Sequence, residues 1–92
     1  MADSACEKTF KIGNELGLHL RAAGKFAQTA GKYEAEVWVK KDQTEVNGKS
    51  IMGILSLAAS RGTEVIVRTK GKDAAIALAA LSALIEANFH EE

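Results

Sequence analysis

The 92-residue sequence has one cysteine, no proline, one tryptophan, one tyrosine and three phenylalanines, and its net charge is zero. With Cys6 alone an internal disulfide is excluded, which fits a reducing compartment; the residue itself reads as a small side chain near a mobile terminus. Twelve basic residues balance twelve acidic ones, so no excess charge draws the chain to nucleic acid or to an anionic membrane. A nucleic-acid module would also need a basic stripe or paired strand aromatics, and neither is present. No apolar run approaches the roughly twenty residues of a membrane span, and Met1 to Lys8 holds no apolar segment of signal-peptide length. The expectation is a cytoplasmic protein without membrane insertion. No group of His, Cys or carboxylates has metal-ligand spacing, so neither metal nor cofactor is expected. The lack of proline leaves glycine as the punctuation, with Gly13, Gly17, Gly31, Gly48, Gly53, Gly62 and Gly71 marking turns or helix ends.

Hydrophobic residues make up 47% and charged residues 26%, an ordinary balance for a globular chain. The length sets one domain over residues 1–92 with room for a two-layer core. Lys8 to Gly13 alternates, with Phe10 and Ile12 facing in, which predicts a half-buried strand. From Leu20 the period becomes helical: Leu20, Ala23, Phe26, Ala27 and Ala30 share one face, Arg21, Lys25 and Gln28 point away, and Gly31 closes the helix. Tyr33 to Lys40 alternates again, with Tyr33, Ala35, Val37 and Val39 inward. Trp38 falls on the outer face, where Ile66 of a later strand is its expected partner.

After a polar turn at Lys41, Asp42 and Gln43, Thr44 to Val46 reads as a short returning strand. Ser50 stands in a capping position before a short apolar helix, Ile51 to Leu57. Thr63 to Thr69 reads as a third long strand with Val65 and Val67 inward. Asp73 is the expected N-cap of the longest helix, Ala74 to about Phe89. Ala77, Ala80, Leu81 and Leu84 make its central stripe, flanked by Ile76, Leu78 and Ile85. His90 falls in a solvated, frayed tail. The order strand, helix, strand, short strand, short helix, strand, helix predicts an α+β two-layer plan with helices on one face of a mainly antiparallel sheet.

The chemistry concentrates in Gly17-Leu18-His19-Leu20-Arg21-Ala22-Ala23. A helix start leaves backbone N–H groups unpaired and carries the positive end of the macrodipole, so it favours an anion. A neutral imidazole there is a competent nitrogen nucleophile near neutral pH. Phosphoryl transfer asks mainly for position and electrostatic support, and Arg21 supplies a planar fork of donors two residues on. Those features suit a histidine that accepts a phosphoryl group; a plain cap or surface histidine is the competing reading.

The stretch Gly17-Leu18-His19-Leu20-Arg21 followed by Ala23, together with Asn47-Gly48-Lys49-Ser50-Ile51-Met52-Gly53-Ile54-Leu55-Ser56-Leu57, resembles the HPr family, the histidine phosphocarriers of the bacterial phosphoenolpyruvate-dependent sugar phosphotransferase system. The resemblance runs from about Lys8 to Phe89. It implies an open-faced βαββαβα sandwich, with a four-stranded sheet of order 1-4-2-3 covered on one side by three helices. It also implies a carrier rather than an enzyme: His19 takes phosphate on Nδ1 from phosphorylated enzyme I and passes it to IIA domains of sugar permeases, with Arg21 contacting the phosphate. Ser50 matches a regulatory serine that an HPr kinase/phosphatase modifies in some bacteria. Leu20, Ile51, Met52 and Leu55 would form the partner-binding patch, and a monomer is the expected state. Most family members carry proline after the arginine, where this chain has Ala22. The competing function on the same fold is a regulatory binding module, in a nitrogen-type phosphorelay or as a corepressor.

Overall fold

The computed structural model describes residues 4–91. Strand β1 spans Ser4–Lys11, helix α1 Leu20–Ala30, β2 Glu36–Lys41, β3 Thr44–Asn47, α2 Ile51–Ser56, β4 Glu64–Gly71 and α3 Ala74–Glu86; a 3-10 turn, Asn88–His90, follows. Alternation in the strands and the 3.6-residue period in the helices generate this order, and every strand pairing is antiparallel, in the order β1-β4-β2-β3. One sheet face is covered: Phe10, Val37, Val39, Val65 and Val67 form a buried cluster with Phe26 of α1, Ile54 of α2 and Leu81 and Ile85 of α3. The other face is open, so the molecule is an α+β open-faced sandwich. No helix among the described residues is long and apolar enough to cross a membrane.

Several side chains sit differently from their sequence pattern. Leu20 and Ile76 are exposed rather than in the core. In α3 the inward places go to Ala74 and Ala77. Ala22 takes the inward place in α1 instead. β1 begins at Ser4, so Cys6 is held in a strand, half-buried against a small cluster of Ala35, Ala74 and Ala77. Trp38 is on the open face as expected, but the residue opposite it is Arg68, while Ile66 pairs with Lys40. The Arg68 guanidinium carbon lies 4.1 Å from the Trp38 ring centroid, and Glu45 of β3 pairs with the same guanidinium at 3.1 Å. A delocalised cation over an indole face is favourable where one side stays wet.

Asp73 precedes α3 but its side chain does not cap that helix. Its carboxylate instead accepts from the backbone N–H groups of Glu34 at 2.9 Å and Ala35 at 2.8 Å, tying the entry of β2 to the start of α3. The bond from Glu34, with that from Ala35 and the charge of Lys49, overcomes the cost of partial burial and holds this carboxyl below its ordinary range. Helix α3 stops at Glu86, before Phe89, and the segment after it is folded rather than frayed. Asn88, Phe89 and His90 all take left-handed backbone, with φ of 53, 56 and 61°, and Phe89 is fully buried. Such backbone costs on the order of 1–2 kcal/mol per residue, and it persists here because the turn drives the Phe89 ring into the core.

Candidate functional site

The site begins with a glycine that no other residue replaces. Gly17 has φ of +67°, and a Cβ on it would lie 2.4 Å from the Ala59 carbonyl oxygen. That close approach lets Leu18 N–H donate to Ala59 O at 2.8 Å, while His19 N–H turns back to Gly17 O at 2.9 Å. The chain thus enters α1 with His19 as its N-cap, in extended backbone. The ring nitrogen Nδ1 accepts from the Arg21 backbone N–H at 3.3 Å, a long bond easily exchanged for another acceptor. The backbone N–H groups of Leu20 and Ala22 have no protein acceptor among the described residues. A proline in place of Ala22 would therefore lose no hydrogen bond.

The turn after α3 reaches this helix start. Phe89 anchors it, and Lys25 Nζ donates to the Phe89 carbonyl at 2.7 Å; Lys25 is therefore drawn inward rather than pointing away. Glu91 Oε2 then meets His19 Nε2 at 2.5 Å, and Glu91 Oε1 accepts from Asn14 Nδ2 at 3.0 Å. Asn14 is buried and gives its second amide proton to Gly17 O at 2.7 Å, while its Oδ1 has no partner among the described residues. Both partners of its nitrogen are acceptors only, which fixes the orientation of the amide. Partial burial works against the charge of Glu91, but the bonds from Asn14 and His19, with the positive charge of Lys25, outweigh it. The carboxyl is held below its ordinary range.

These contacts assign the ring protons. Nδ1 faces a donor and carries the lone pair; Nε2 faces a carboxylate and carries the proton. The His19 side chain keeps 26% of its surface exposed and lines an open concavity of about 720 Å³ with Leu16, Leu20, Arg21, Lys25, His90 and Glu91 among its walls. A ring nitrogen with a free lone pair and the side chain of Arg21 thus line one accessible hollow at the start of α1. Sequence reasoning placed His19, Leu20 and Arg21 here. It missed Asn14, Lys25 and Glu91; His90 is exposed as expected, but on a folded turn that lines the hollow rather than on a frayed tail.

The second predicted group lies apart. Ser50 caps α2, accepting from Gly53 N–H at 3.0 Å, and none of Ser50, Ile51, Met52 and Leu55 lines the His19 hollow. Helix α2 packs against α1, which brings the two groups to one side of the molecule. Leu20 is 66% and Met52 74% exposed, and Ile51 is also exposed; Leu55 is half-buried and partly core.

A small open-faced sandwich with an accessible ring nitrogen at a helix start has the form of a carrier that takes up and releases an anionic group at its surface. A family model described as "PTS HPr component phosphorylation site" matches residues 6–87. The chain is 49% identical over 85 residues to the phosphocarrier protein HPr of Neisseria meningitidis serogroup A, covering 92% of this chain and 96% of that protein. The crystal structure of HPr-C-His from Thermoanaerobacter tengcongensis superposes with a TM-score of 0.91 at 48% identity, covering 95% of this chain and 98% of that one. The structure of a phosphocarrier protein HPr from Bacillus anthracis has a TM-score of 0.85 at 39% identity, covering 89% and 98%. The chain belongs to the HPr family of phosphocarriers.

Proposed function

We propose that the single domain of residues 1–92 carries its phosphoryl group on Nδ1 of His19. The family role is established: the protein is a phosphocarrier of the phosphotransferase system between enzyme I and IIA domains, not an enzyme. The observation that carries the assignment to His19 is the arrangement of its ring, with the lone pair of Nδ1 toward the first turn of α1 and Nε2 engaged by Glu91. The incoming phosphoryl oxygens take the place of Nδ1 as acceptors for the Arg21 backbone N–H, and the macrodipole and the Arg21 guanidinium add support for their charge. A carrier must also let go. Each 1.4 kcal/mol of preference for the charged form shifts the transfer equilibrium about tenfold, and a hollow open to solvent keeps that preference small.

Leu20, Ile51 and Met52, with the exposed part of Leu55, form the surface that enzyme I and IIA domains grip in this reading; their exposure on neighbouring helices supports it. Ser50 is the regulatory site for an HPr kinase/phosphatase. A dianion there is tolerated by the helix start but costs desolvation beside Ile51 and Met52 when a partner docks. The carrier works in the cytoplasm. Incubation with phosphoenolpyruvate and enzyme I, followed by intact mass and an acid-lability test, should give one acid-labile phosphate on wild type and none on His19→Ala. Label that persists in the variant would move the acceptor elsewhere.

A further inference from the structure

Resting on the reading that His19 is the acceptor, the geometry points to Glu91, braced by Asn14, as a positioning residue that decides which ring nitrogen carries the proton. The Nε2 contact is to a carboxylate that is only 15% exposed. That carboxylate is not free to rotate away, because its other oxygen is held by the buried amide of Asn14. Asn14 in turn is fixed on the carbonyl of Gly17, the residue that shapes the entry to α1. Glu15, Arg21, Lys25 and His90 are the other ionisable groups around this hollow, and none of their side chains hydrogen-bonds the His19 ring among the described residues. Among the described residues Glu91 alone therefore sets the tautomer from the Nε2 side, as a buried acid does for a catalytic histidine in a hydrolase triad.

The consequence for transfer follows from the balance of the step. The Nδ1 lone pair forms the N–P bond while the bond from phosphorus to the donor breaks, and its electron pair leaves with the donor, enzyme I. The Nε2 proton stays on the ring, which becomes an imidazolium opposite the Glu91 carboxylate. In delivery to a IIA domain the N–P electron pair returns to Nδ1 and the ring departs as neutral imidazole. Had the Nε2 proton been lost, the leaving group would be an imidazolate, a far poorer one. The carboxylate thus serves both directions: it presents the correct nitrogen for charging and retains the proton that makes discharge easy.

Glu91→Gln separates this role from packing, since the two side chains have nearly the same shape. Asn14 Nδ2 demands the glutamine oxygen, which turns the glutamine NH₂ toward Nε2 and favours the opposite tautomer. Long-range ¹H–¹⁵N spectra of the histidine ring should show the proton on Nε2 in wild type and a shift toward Nδ1–H in Glu91→Gln, with other backbone amides unchanged. The rate of phosphorylation by phosphorylated enzyme I should fall on the order of ten- to a hundredfold. Glu91→Asp, which keeps the charge on a shorter stem, should recover part of it. An unchanged tautomer, or charging at the wild-type rate in Glu91→Gln, would overturn the proposal while leaving the acceptor assignment intact. Failure of the wild type to be labelled at His19 would instead overturn that assignment, and the ring spectra would still decide the role of Glu91.

Discussion

At Gly17 the backbone is left-handed and packs against the Ala59 carbonyl with no room for a methyl group. Gly17→Ala should therefore cost at least about 1–2 kcal/mol from the φ angle alone, and the clash should push the Leu18–His19 segment outward. The checks are urea unfolding, with a lowered midpoint, and a slower rate of phosphorylation by enzyme I. His19 was readable before the structure as the start of a helix because its context is local, a glycine two residues before it and an arginine two residues after, and the likeness of that stretch to the family motif singled it out as an acceptor. Asn14 and Glu91 were not, because a polar residue in a loop and a glutamate in an acidic tail carry no local sign of their use. Their partners stand 77 and 72 residues away, and only the folded chain brings them within reach.

The helices divide in the same way. Ser50 was readable as a cap because its hydroxyl serves its own helix, three residues on. Asp73 has the same sequence signature, yet its carboxylate serves the backbone of Glu34 and Ala35, a use that no window around residue 73 reveals. Helix α3 ran short of its apolar pattern because Phe89 is buried through a left-handed turn rather than through a further helical turn. That turn depends on one ring. Phe89→Ala should destabilise the fold by about 3–5 kcal/mol, and hydrogen exchange should show the amides after Glu86 losing protection before those of the sheet. Retained protection after Glu86 would mean that Lys25 and Glu91 hold the turn unaided.

For the molecule as a whole, Asp73 and Glu91 join parts of the chain distant in sequence, and both have folded pKa values below their ordinary values of 3.8 and 4.5. A depressed carboxyl contributes stability that is fully present above its unfolded pKa and is lost as pH falls through its folded value. Urea midpoints should hold steady near neutral pH and drop once the pH passes below about 4.5. The double variant Asp73→Asn, Glu91→Gln should start from a lower midpoint and fall less steeply; a slope equal to that of wild type would place the acid sensitivity elsewhere. The order of the sheet carries a different consequence. β4 lies between β1 and β2 but follows both in the chain, so on the ribosome β1 waits without a neighbour, and the β2–β3 hairpin with one edge open, until residues 64–71 emerge. The nascent carrier can zip its centre only late in synthesis, and a message cut short before that point yields a chain whose first strand is never joined to its hairpin.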